Sequence, residues 1–144
     1  MKIVNFAEKN SELNRFVAEI RDIHIQQDRL RFRKNLERIG EVMSYEISKD
    51  FRYSEKLVTT PLGTARVNTA DDKIVIGTIL RAGIPYHQGF LNYFDQAENA
   101  FVSAYRKYKD KLNFEIFIEY IASPRIDGKI LILTDPMLAT GGSM

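Results

Sequence analysis

The chain has 144 residues with a net charge of +2, 44% hydrophobic and 28% charged residues, and no cysteine. That is one domain by size, with an ordinary globular balance that implies no polyanionic partner such as DNA. Disulfides, thiolate zinc sites and cysteine nucleophiles are excluded.

The amino end, MKIVNFAEKN, is too short in apolar residues for a signal-peptide core. The longest apolar-rich run, IVIGTIL, is too short to span a bilayer. A cytoplasmic protein with no membrane partner is expected. Leu13, Phe16, Val17 and Ile20 sit at helical spacing, predicting an amphipathic helix from about Ser11 to Asp22. A second helix is expected to start at Asp28, a good N-cap, with Phe32, Leu36, Ile39, Met43 and Ile47 on one face. Its other face carries Arg29, Arg31, Arg33, Lys34 and Arg38. That basic run reads as a solvated helix face or, alternatively, as a patch near a phosphate or a subunit contact.

EKLVTTPLGTARVN predicts a β-hairpin arm with Pro61, Leu62 and Gly63 at the bend. Asp71-Asp72 reads as a loop end rather than a metal pair. KIVIGTIL predicts a buried strand ended by Arg81, Ala82 and Gly83, and Pro85 suits the first turn of a helix carrying Phe90, Leu91 and Phe94. AFVSAY and NFEIFIEYIA are further strands, the alternation of Phe114, Ile116 and Ile118 reading as core. After the Asp127-Gly128 turn comes a last buried strand in KILILTD. His24 and His87 lack a paired acid and are expected to be structural or on the surface. Apolar strands alternating with helices predict an α/β fold with a mainly parallel sheet covered by helices on both faces. Ligands of such sheets bind at the carboxyl ends of strands.

Two loops fall at strand ends of that kind, LRAG at Leu80–Gly83 and DPMLATGGS at Asp135–Ser143. Thr140, Gly141, Gly142 and Ser143 can present consecutive backbone N–H groups and hydroxyls to a phosphate monoester, the more so if a helix begins there. Asp135 repels phosphate but accepts hydrogen bonds from hydroxyls. An acid and a phosphate cradle on one loop suit a ligand with both groups, such as a ribose 5-phosphate. No lysine follows Gly142, so the nucleoside triphosphate loop does not match, and a dinucleotide fingerprint is absent.

TDPMLATGGS closely resembles VDPMLATGGS, the phosphoribosyl pyrophosphate loop of uracil phosphoribosyltransferases. ILRAG resembles that family's pyrophosphate loop, AYRK its Tyr-Arg step on a mobile loop, RFRKNLERIGEVMSYE its first long helix, and TTPLG its arm. The chain departs from the pattern after LRAG, with Ile84, Pro85, Tyr86 and His87 in place of a small residue and methionines, and with Lys107 where an acid or amide often follows the arginine.

The resemblance implies a type I phosphoribosyltransferase-like fold that makes UMP and diphosphate from uracil and 5-phosphoribosyl 1-diphosphate. It implies that Asp135 binds the ribose hydroxyls, that Ala139, Thr140, Gly141, Gly142 and Ser143 hold the 5-phosphate, with Pro136, Met137 and Leu138 completing the loop, and that Arg81, with Ala82 and Gly83, and Arg106 neutralise the pyrophosphate. Arg81, Arg106 and Asp135 would be the catalytic residues, with Mg²⁺ riding on the substrate and no metal held by the protein alone. It also implies a homo-oligomer and GTP as a candidate effector. Residues 1–144 would be one phosphoribosyltransferase domain without the family's carboxyl-terminal uracil-recognition part, and inactive alone. The same fold could serve another base, a reading the Asp135-Pro136 pair opposes, or a regulator that senses phosphoribosyl pyrophosphate or binds RNA. Arg81, Arg106 and the near-neutral charge favour the enzyme.

Overall fold

The structure is a computed structural model. It describes residues 2–108 and 114–137, without the side chains of 104–108 and 114–117. Helix α1 (Leu13–Arg21) and helix α2 (Arg29–Ser48) lie where the apolar periodicity places them. Asp28 caps α2 as expected: its carboxylate accepts from the backbone N–H groups of Leu30 and Arg31, both at 3.0 Å.

Strands β1 (Tyr53–Thr60) and β2 (Gly63–Ala70) form a separate antiparallel hairpin. Its two-residue loop is Pro61-Leu62, and Gly63 follows at φ +133°, a backbone conformation that side chains resist. Asp71 and Asp72 close the base of this arm. Asp72 accepts from the Arg52 backbone N–H and pairs with its guanidinium, both at 2.7 Å, and Lys56 reaches Asp71 at 3.2 Å. The Arg52 contacts, the backbone N–H foremost, hold the Asp72 carboxyl below its ordinary range.

The main sheet has the order β5-β4-β3-β6, built from β3 (Ile74–Leu80), β4 (Glu98–Tyr108), β5 (Phe114–Ala122) and β6 (Ile130–Thr134). β3 runs parallel to both β4 and β6, and β5 returns antiparallel along β4. Helix α3 (Ile84–Leu91) connects β3 to β4, with Pro85 in its first turn.

The core joins Leu13 of α1, Ile39 of α2, Tyr86 and Phe90 of α3, and the register partners Ile76 and Ile132 of the sheet. Phe51 and Phe94 extend it, their ring centroids 5.4 Å apart. Helices flank the sheet as expected, and the described residues place them on one of its faces. Among the described residues the three helices pack on the face that presents Ile76 and Ile132. Leu131 and Leu133 point the other way, 41% and 57% exposed. Ile118 is exposed as well, against its reading as core. Apolar residues on both faces of a strand show that both faces suit burial; they do not show what covers each.

Helices α2 and α3 touch backbone to backbone. A Cβ on Gly40 would sit 2.5 Å from the Tyr86 carbonyl oxygen, and one on Gly89 would overlap the Glu37 carbonyl oxygen. Gly89→Ala is expected to force the helices apart and cost about 2 kcal/mol, an overpacking penalty. Urea unfolding of the full-length protein checks this, and an unchanged midpoint would refute the close crossing.

Candidate active site

Parallel pairing of β3 with β6 sets the carboxyl ends of the two strands side by side. Thr78 is opposite Thr134 in the register. Three residues on from Thr78 stands Arg81, and directly after Thr134 stands Asp135. The two threonines are 2% and 1% exposed and cross-link the strand ends. The Thr78 hydroxyl donates to the Thr134 carbonyl at 3.1 Å, and the Thr134 hydroxyl donates to the Gly77 carbonyl at 3.0 Å. Sequence reasoning passed over this pair, because a threonine in a strand is ordinary until its cross-strand partner is known. Thr134→Val is expected to lower stability by about 1 kcal/mol, the worth of one buried hydrogen bond. It should also raise the KM for a substrate held between the two strand ends, by loosening their spacing. Denaturation and steady-state kinetics of the full-length protein measure both, and wild-type values for both would refute the role.

The LRAG loop turns directly from β3 into α3. The Leu80–Arg81 peptide is cis. Gly83 closes the turn, its N–H donating to the Ile79 carbonyl at 3.2 Å. A Cβ there would overlap the Thr78 hydroxyl and stand 2.8 Å from the Ile79 carbonyl oxygen, so only glycine lets the loop fold this tightly. Arg81 and Ala82 are left exposed at the strand end.

Arg81, Ala82, Asp135, Pro136 and Met137 line one cavity of about 830 Å³ together with residues of α1, α2 and α3. That volume falls in the range of small-molecule sites, about 300–1,000 Å³. Asp135 is half-buried and accepts from the Met137 N–H at 3.3 Å, which fixes the start of the loop. Tyr86 lines the same cavity, and its hydroxyl donates to the Met43 sulfur. Burial, with the Asp135 carboxylate adding to it, pushes the Tyr86 hydroxyl up to about 12, so the phenol stays neutral beside the acid. Sequence reasoning noted Tyr86 only as a departure from the family pattern; its place under Asp135 is a fact of the packing.

Arg106 lies within β4, its backbone paired with Ile116 of β5, rather than on a loop. Ser103 pairs with Leu80, so β4 continues past the LRAG end of β3 and carries Arg106 to the same edge of the sheet. The Arg106 side chain lies outside the described residues, as do Leu138, Ala139, Thr140, Gly141, Gly142 and Ser143. His87 is buried, 4% exposed, with Nε2 2.7 Å from the Asn99 side-chain oxygen and its ring 5.2 Å from that of Phe101. Burial lowers its pKa and keeps it neutral, in keeping with a structural role. His24 is exposed.

Residues 7–144 match the family model described as uracil phosphoribosyltransferase. The chain belongs to the uracil phosphoribosyltransferase family. With membership comes the reaction class, transfer of a phosphoribosyl group to uracil. A protein of that name from Porphyromonas gingivalis is 64% identical over 144 residues, which are all of this chain and 67% of the relative. Another, from Methanothermobacter thermautotrophicus, is 43% identical over 115 residues, 78% of this chain and 53% of the relative. Among solved structures, the AQ2163 protein from Aquifex aeolicus superposes with a TM-score of 0.80 at 33% identity, over 94% of this chain and 63% of that one. The mixed sheet with helices and the separate hairpin fit the phosphoribosyltransferase-like fold. No helix among the described residues is long and apolar enough to cross a membrane.

Proposed function

We propose that the cavity between the LRAG loop and Asp135 receives 5-phosphoribosyl 1-diphosphate, and that the protein transfers its phosphoribosyl group to uracil. The observation that carries this reading is the meeting of Arg81 and Asp135 on one cavity, at the adjacent ends of β3 and β6, where DPMLATGGS begins. Asp135 accepts hydrogen bonds from the ribose hydroxyls. Residues Ala139 to Ser143 hold the 5-phosphate through backbone N–H groups and hydroxyls. Arg81, joined by Arg106 from the end of β4, faces the diphosphate.

Uracil N1 forms a bond to ribose C1 as the bond from C1 to the diphosphate oxygen breaks. The electron pair leaves with diphosphate, and the N1 proton is lost to solvent or a base. The ribose passes through an oxocarbenium-like state. The protein contributes alignment and positive charge where the leaving group gains negative charge. Mg²⁺ fits this site as an ion carried by the substrate. Among the described residues lining the cavity Asp135 is the one acid, and it serves the ribose hydroxyls, so the ion would be held by substrate phosphates and water. When bound, it neutralises diphosphate charge. To the same reading belong, from family resemblance alone, uracil recognition by residues outside 1–144, a cytoplasmic location, a homo-oligomeric assembly and GTP as an effector.

The test is a panel of bases offered to the full-length protein with phosphoribosyl pyrophosphate. UMP formation from uracil should exceed nucleotide formation from any purine by at least about a hundredfold, the selectivity that hydrogen-bonded recognition supplies. A purine as the preferred acceptor would replace the reading with another base, and binding without turnover of any base would replace it with a sensor.

A further inference from the structure

The arginines of the basic helix run differ in their surroundings. Arg31 pairs with Glu19 at 3.3 Å, and Lys34 with Glu37 at 2.7 Å. Arg38 stacks over the Phe16 ring at 5.3 Å and donates to Asn35 at 3.0 Å. These three side chains are accounted for on the helix surface. Arg33 is not: among the described residues it has no ion-pair partner, and it lines the cavity that holds Arg81 and Asp135. Arg21, the last residue of α1, lines it too, also without an ion-pair partner among the described residues. Three guanidiniums and one carboxylate thus share a cavity whose other walls are largely apolar, among them Phe32, Leu36, Met43 and Tyr86. Apolar walls reduce screening and strengthen the field that three cations focus into such a space. An occupant carrying several negative charges balances it.

We infer that Arg21 and Arg33 bind the diphosphate end of the phosphoribosyl substrate together with Arg81, so that helices α1 and α2 supply part of the substrate site. This rests on the reading of the cavity given above. The diphosphate, rather than the 5-phosphate, is the matching group because Arg81, assigned above to the diphosphate, lines the same cavity, while the 5-phosphate is assigned to Ala139–Ser143. Guanidinium suits the task, since its fork of donors meets phosphate oxygens in pairs.

The experiment is calorimetry on the full-length protein with Arg21→Gln, Arg33→Gln and Arg81→Ala, using phosphoribosyl pyrophosphate, free pyrophosphate and ribose 5-phosphate. Both glutamine variants should weaken phosphoribosyl pyrophosphate and pyrophosphate about tenfold, the loss of one charge-assisted contact. Ribose 5-phosphate should stay within about twofold, and the affinity for pyrophosphate should fall less steeply with salt. Arg33→Lys, which keeps the charge, should recover part of the loss. Both residues are exposed, so melting curves should match the parent. Unchanged affinities in Arg21→Gln and Arg33→Gln, with pyrophosphate lost in Arg81→Ala, would overturn the inference and leave the site reading intact. Equal weakening of all three ligands would also overturn it, since the arginines would then act on the whole ligand and not on its diphosphate. Unchanged affinities in all three variants would remove the cavity itself from the substrate site.

Discussion

Arg81→Ala is expected to slow turnover of the full-length protein about a hundredfold, the usual cost of removing one fixed donor to a developing anion. Arg81 stands exposed where β3 ends, on a loop held by Gly83 and by the crossed threonine bonds beneath it. Its side chain therefore contributes little to folding, and a melting curve should be nearly unchanged. The loss should fall on kcat as well as kcat/KM, because charge on diphosphate grows as the bond to ribose breaks. Steady-state kinetics with varied phosphoribosyl pyrophosphate separate the two parameters. Activity within about twofold of the parent, a barrier change below half a kcal/mol, would make Arg81 a solvated strand-end charge.

Asp135→Asn is expected to weaken phosphoribosyl pyrophosphate about a hundredfold, and free pyrophosphate far less. A carboxylate that faces two sugar hydroxyls accepts from both, while an amide of the same shape presents one oxygen and one NH₂ group. One hydroxyl loses its acceptor and meets a donor, and the charge assistance is gone as well, which together supply roughly 2–3 kcal/mol. Pyrophosphate has no ribose and should not sense the change. Were Asp135 instead a direct Mg²⁺ ligand, both ligands would weaken, because both carry the metal. Were it only the acceptor that fixes the Met137 N–H, the melting temperature would drop and the ligands would not be distinguished. Two affinities and a melting curve on one variant decide among the three, and equal weakening of both ligands would sink the ribose assignment.

Much of the fold was legible because its signals are local. The spacing of Leu13, Phe16, Val17 and Ile20, the capping carboxylate of Asp28, and the Pro61–Gly63 bend act within a few residues of themselves. The structure keeps each within a residue or two of where it was read. DPMLATGGS and LRAG suggest ligand loops for a similar reason. A backbone that must approach a phosphate or turn sharply restricts which residues can stand there, and the restriction is written in consecutive positions. The reaction class comes from the family, whose model matches residues 7–144.

What the sequence could not carry is the order and facing of the strands. Periodicity marks Ile76 and Ile132 as apolar, yet only the parallel pairing of β3 with β6 makes them register partners and brings Arg81 and Asp135 to one cavity. Thr78 and Thr134 are unremarkable in sequence because a hydrogen bond between strands has no local signature. Leu131 and Leu133 read as buried, because an apolar strand looks the same whether or not its second face is covered. Arg106 was read on a loop, and β4 holds its backbone instead, because pairing with β5 extends the strand beyond the apolar run. Arg33 looks like a member of a solvated basic face, and Arg21 carries no signal of its own. Their difference from Arg31, Lys34 and Arg38 lies in which way each points once α1 and α2 have packed against the sheet, and that direction is decided by burial of the opposite helix faces in a shared core.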